Sequence, residues 1–150
     1  CDPVGSFVNE QVNTVNFLFC HEDNEYGAKT GQRLAGTFNY LAEQLLAARQ
    51  AYPTRSYPNL GLLPALRREA TSAPEGQIPE GLCIGNPDRI IEVIKKWESV
   101  GVDRINFLLN AIETVPQEEV LASLRLFAKE VMPKFAEKPA AAPAGVGGGD

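Results

Sequence analysis

His21 is the only histidine in the chain, and it follows directly on the apolar run Phe17-Leu18-Phe19-Cys20. A side chain in that place leaves a buried element at its end, where loops begin. Imidazole both takes up and gives up protons near neutral pH, so His21 is a candidate catalytic residue, able to shuttle a proton or donate a hydrogen bond to a cofactor or substrate. Asn110 stands in the same relation to a second run, Phe107-Leu108-Leu109. Its amide offers a donor and an acceptor to a cofactor edge, which makes it a candidate cofactor-binding residue. Arg67 and Arg68 form a cationic pair suited to a phosphate or an acidic substrate group. The turn Gly85-Asn86-Pro87 opens a helix whose free N–H groups suit an anion, although Pro87 removes one donor and Asp88 adds a repelling charge. Each has a plainer reading: a loop histidine, a turn asparagine, a solvated arginine pair, a capped helix. Glu113 reads as a solvated charge leading a helix.

Other chemistries are missing from the inventory. One histidine cannot build a multi-histidine metal site within this chain. Cys1, Cys20 and Cys83 are odd in number and widely spaced, without a C-x-x-C pair, so they read as small apolar residues in a reducing compartment rather than as disulfides or zinc ligands. No metal is expected, and a cytoplasmic location is. No P-loop, no Gly-x-Gly-x-x-Gly and no Ser-His-Asp set is present.

The elements that must position these residues are legible in the pattern. Residues 12–20 are β-branched and aromatic, and their last four lack polar alternation, as in a parallel strand buried on both faces. Asp23 or Asn24 then caps a helix over 25–50, in which Ala28, Leu34, Phe38, Leu41, Leu45 and Leu46 recur at mostly helical spacing. Gly27, Gly31 and Gly36 weaken that helix by about 1 kcal/mol each if exposed, or permit close packing. Residues 51–82 are broken by five prolines and three glycines, and read as either a solvated linker or an active-site lid, with a short helix from Leu62 to Ala70. Asn86, Pro87 and Asp88 start a helix over 87–100 that Gly101 closes. A strand over 104–110 follows. Thr114 to Gln117 matches a capping box for a helix over 115–132. From 138 to 150 the chain is rich in Ala, Gly and Pro and reads as a flexible tail.

Strands separated by helices predict an α/β fold with parallel pairing. Two strands alone cannot form a sheet covered on both faces, so this order predicts an incomplete unit. The chain has 150 residues, of which 44% are hydrophobic, and a net charge of -5. An acidic balance of that kind argues against duplex nucleic acid or an anionic membrane as partner. No run approaches the ~20 apolar residues of a membrane span.

Residues 12–135 resemble the carboxyl-terminal part of the bacterial luciferase-like flavin-dependent monooxygenases. The likeness rests on Gly85-Asn86-Pro87-Asp88-Arg89-Ile90-Ile91, on Gly101-Val102-Asp103, and on Leu124 through Pro133 with its Val131-Met132-Pro133 ending. The stretch from Asn16 to Ala28 is similar to that family's penultimate strand and acidic turn. Relatives often carry Pro-His-Glu where this chain has Pro116-Gln117-Glu118.

The resemblance implies the last part of a (β/α)8 TIM barrel, with 1–137 as the barrel portion, 51–82 as an insertion or lid and 138–150 as a tail. Complete barrels run to ~250 residues, so the rest of the barrel is an implied partner. The resemblance also implies FMN, reduced by a partner flavin reductase or by NAD(P)H, with O2 and a small organic substrate, in a homo-oligomer. A deazaflavin-dependent oxidoreductase of the same fold is the nearest alternative. A non-catalytic remnant serving as an interaction module is the alternative from another class.

Overall fold

The computed structural model describes residues 11–50, 55–56 and 78–136. Strand β1 (Asn13–Cys20) leads into helix α1 (Asn24–Gln50). Strand β2 (Cys83–Gly85) leads into α2 (Pro87–Ser99), and β3 (Arg104–Leu108) into α3 (Gln117–Leu126). A π-helical turn, Phe127–Val131, and a 3-10 turn, Met132–Lys134, follow α3.

The three strands form one parallel sheet in the order β2-β1-β3. This is an α/β fold whose parallel strands and helices are consistent with a partial TIM-barrel-like architecture. The sequence reading counts two strands, and the structure corrects that number. Leu82 to Gly85 is too short for period-two alternation to register, yet Cys83, Ile84 and Gly85 lie beside Leu18, Phe19 and Cys20. β2 therefore extends only the carboxyl end of β1, whereas β3 runs along Asn13 to Phe17.

The strand order decides where the helices lie. The chain moves one way from β1 to β2 and the other way from β2 to β3. Right-handed crossovers in opposite directions place their helices on opposite faces. The core divides accordingly. Phe17, Phe19 and Ile84 pack with Leu34 and Ala35 of α1 and with Val115. Leu18, Cys20 and Cys83 face the other way, onto Ile90 and Val93 of α2 and onto Val131. The pattern expected of a strand buried on both faces is met at Phe17 through Cys20, all nine-tenths or more buried. Toward the amino end that cover ends, and Val15 is 62% exposed. The outer edges of β2 and β3 have no partner strand among the described residues.

Close approach between α1 and β2 depends on two glycines one turn apart. A Cβ at Gly27 would lie 2.9 Å from the carbonyl oxygen of Gly85, and one at Gly31 would run into the Ile84 side chain. Packing at the sheet is thus the role of Gly27 and Gly31.

The carboxyl-terminal helix differs from its sequence pattern. The Thr114–Gln117 capping box does not form: Pro116 takes the cap position, and no side chain bonds the first turn. The expected helix over 115–132 is α-helical only to Leu126, then widens to the π turn. Pro133 explains the change, because it has no N–H for an i→i−4 bond and its ring crowds the carbonyl of Lys129.

Candidate functional site

In a parallel sheet every strand ends at the same edge, so the loops after β1, β2 and β3 gather there. That edge of α/β folds and barrels is where chemistry is placed. His21 leaves β1, Asn86 leaves β2 and Asn110 follows β3. The sequence candidates His21 and Asn110 therefore share one edge of the sheet. Arg67 and Arg68 lie outside the described residues.

His21 is half-buried, and its backbone N–H donates to the Gly85 carbonyl at 3.0 Å. Its ring Nδ1 accepts from the backbone N–H of Asp23 at 3.0 Å. Asp23 in turn caps α1, its Oδ1 accepting from Glu25 N at 2.9 Å and Tyr26 N at 3.1 Å. The ring of Tyr26 lies against that of His21, with centroids 4.6 Å apart and planes at 49°. From there the Tyr26 hydroxyl donates to Glu119 Oε2 at 2.8 Å, joining α1 to α3. That bond, more than any other influence, holds the tyrosine hydroxyl above the usual phenol range. The sequence reading did not single out Tyr26 or Glu119. They are 93 positions apart, and no local spacing pairs them.

The two helix starts also touch here. Asn24 Oδ1 accepts from Asn86 N at 3.1 Å, and Asn86 Oδ1 caps α2 through Arg89 N at 3.0 Å. Gly85 stands between them with φ +120°. Pro87 has no N–H and Asn86 occupies that of Arg89, so the opening of α2 has few donors left for an anion. The Arg89 guanidinium is likewise engaged, donating to the carbonyls of Ile84 at 3.1 Å and Pro79 at 3.2 Å.

Asn110 is half-buried, and its amide clasps its own loop. Nδ2 donates to the Val115 carbonyl at 2.8 Å and Oδ1 accepts from Val115 N at 3.3 Å. One N–H and one lone pair of the amide remain beyond these bonds. Glu113, inside the loop, takes a left-handed conformation with φ 52°.

No protein-family model matches the sequence, and no curated protein is similar to it. Among solved structures, the chain is similar to the crystal structure of monooxygenase RslO1 from Streptomyces bottropensis, at 17% identity and a TM-score of 0.57. Its fold resembles part of a monooxygenase. The match covers 87% of this chain and 33% of RslO1, so the chain spans about a third of the solved structure's length.

A cleft of about 980 Å³ lies elsewhere, between α2, β3 and the turns after α3. Ile94, Phe107, Phe127 and Phe135 are among its lining residues, together with Asp103 and Arg104. These last two stand at the start of β3, at the opposite end of the strand from Asn110. Among the described residues no group of three or more His, Cys, Asp or Glu is placed to hold a metal ion. No described helix is long and apolar enough to cross a membrane.

Proposed function

We propose that the chain is the carboxyl-terminal portion of an FMN-dependent, luciferase-like monooxygenase that oxidises a small organic substrate with O2. The observation that carries this reading is the likeness of the fold to a monooxygenase whose length the chain covers only in part. Two further features support it. The outer edges of β2 and β3 lack described partner strands, as expected of a sheet that continues into further strands. His21 and Asn110 stand at the carboxyl edge, where such barrels hold their chemistry.

The residues present suit one end of a flavin better than the other. His21 Nε2 and the unused amide capacity of Asn110 match the donors and acceptors of a flavin ring edge. Arg89 is engaged by backbone carbonyls and is not free to hold the flavin's phosphate. Phosphate binding falls to the rest of the barrel, or to Arg67 and Arg68 in the 51–82 insertion acting as a lid. FMN would supply the redox chemistry, while the protein supplies orientation and exclusion of water. A flavin reductase or NAD(P)H is the electron source in this reading, and a second copy of the protein its oligomeric partner. The domain plan is a barrel portion over 1–137 and a tail over 138–150, in a cytoplasmic enzyme.

Flavin titration tests the proposal. A longer polypeptide carrying, ahead of residue 1, the further β/α repeats that complete an eight-stranded barrel binds FMN tightly and consumes O2 when the flavin is reduced. The 150-residue chain alone binds none. Tight FMN binding by the chain alone, or a coding region without those repeats, overturns it. Oxygen consumption supported by a deazaflavin instead of FMN would assign the deazaflavin-dependent relative.

A further inference from the structure

We infer that Tyr26 and Glu119 are positioning residues for His21, holding its imidazole as a ring that donates a hydrogen bond from Nε2 at the carboxyl edge of β1. The tautomer follows from the donor count. The Asp23 N–H donates to Nδ1, so Nδ1 carries a lone pair and the proton of the neutral ring sits on Nε2. The backbone of His21 is fixed by its bond to Gly85, which leaves the side-chain torsions to set where Nε2 points. Tyr26 sets them from one side, its ring 4.6 Å from the imidazole. Tyr26 is itself fixed at both ends, by Asp23 Oδ1 at its N–H and by Glu119 Oε2 at its hydroxyl. The end of β1 and the start of α1, neighbours in sequence, are thus joined by the start of α3 in fixing one imidazole ring.

The surroundings define what that nitrogen takes. The hydrogen-bond chain that holds the ring carries the carboxylates of Asp23 and Glu119, while Arg33 acts on Tyr26 with the opposite charge, so the site shows no excess of either sign to select an ion. A neutral acceptor oxygen, such as a carbonyl, fits an Nε2–H donor of this kind. This assignment rests on the proposed function for its use, since it names the group that would face the substrate.

Nitrogen-15 spectra of the full chain test it directly, because His21 gives the only imidazole signals. The ratio of the Nε2–H to the Nδ1–H form is expected to exceed that of the same chain in urea by about fivefold, the factor that one net hydrogen bond sustains. Glu119→Gln keeps an acceptor for Tyr26 and retains the ratio. Glu119→Ala and Tyr26→Ala bring it toward the urea value. Nuclear Overhauser contacts between the two rings in the unsubstituted chain give the same test without a substitution. A native ratio equal to that in urea, missing ring-to-ring contacts, or an unchanged ratio in both alanine variants overturns the inference. A fixed Nε2–H form in a longer protein that binds no flavin fails only the proposed function. Mixed tautomers in a protein that binds flavin fail only the positioning role.

Discussion

Asn16 is bonded to both sides of the approach to β2: its Oδ1 accepts from Cys83 N at 3.1 Å, and its Nδ2 donates to the Gly81 carbonyl at 2.7 Å. The residue is 3% exposed, pairs with Phe107 of β3, and stands two residues before the β2 ladder begins on the other side of β1. A side-chain amide can reach across where the backbone ladder has not yet begun. It thereby fixes the short strand that sets Gly85 against His21.

Asn16→Leu is expected to lower stability by about 2–3 kcal/mol, because Cys83 N and the Gly81 carbonyl lose their partner inside the fold. The midpoint of urea unfolding reads this out. Asn16→Asp keeps the acceptor but not the donor and adds a buried charge, so it is expected to be no better tolerated. A variant within about 0.5 kcal/mol of the parent would refute the role.

Gly31 and Gly36 occupy the same helix and are expected to respond in opposite directions. At Gly31 an added Cβ meets Ile84, so Gly31→Ala costs about 1–3 kcal/mol by overpacking. At Gly36 it meets nothing within 4 Å, so Gly36→Ala stabilises by about 0.5–1 kcal/mol through helix propensity alone. Thermal unfolding of the two variants side by side measures the contrast.

The same comparison shows how much of the fold sequence patterns carry. The strand before His21, the Asp23 cap and the Asn86-Pro87 helix start are local signals, and the structure contains all three. The burial of β1 on both faces is legible because Phe17 to Cys20 leave no polar alternation. The third strand is not legible, since three residues hold no period and their pairing depends on Asn16, 67 positions away from Cys83. The capping box at Thr114 failed because Pro116 imposes its own dihedral at the cap. In the candidate site, His21 and Asn110 were visible as the ends of apolar runs. Tyr26 and Glu119 were not, because what unites them is a hydrogen bond between α1 and α3 that spans 93 positions.

Asn110 is expected to matter to stability before it matters to any ligand. Its amide satisfies both the N–H and the carbonyl of Val115, a residue 3% exposed in the core beneath α1. Asn110→Ala is expected to cost about 1–2 kcal/mol in the absence of any cofactor. Asn110→Asp loses the bond to the Val115 carbonyl and sets a carboxylate oxygen against it, with a similar cost. Urea unfolding of flavin-free protein measures both. Unchanged stability would free the amide entirely for a ligand.

Cys20 and Cys83 lie on the same face of adjacent strands and are buried free thiols. Burial pushes the Cys20 thiol from its ordinary 9.0 up to about 11, with Glu130 adding to the effect, and pushes Cys83 up to about 12. Both groups are thus held in the neutral form by the fold, and neither supplies a thiolate nucleophile near neutral pH. The sign of the linkage follows. Below about pH 9 folded and unfolded chains hold these protons alike, and the contribution to stability is complete. As pH rises from there through about 11 and 12, the unfolded chain releases protons that the folded chain still keeps, so stability falls. In a Cys1→Ser background, a thiol reagent at pH 8 is expected to modify no cysteine of the native protein and two in urea. Rapid labelling of Cys20 in the native state would mean that the β1–β2 contact opens readily, and with it the edge that carries His21.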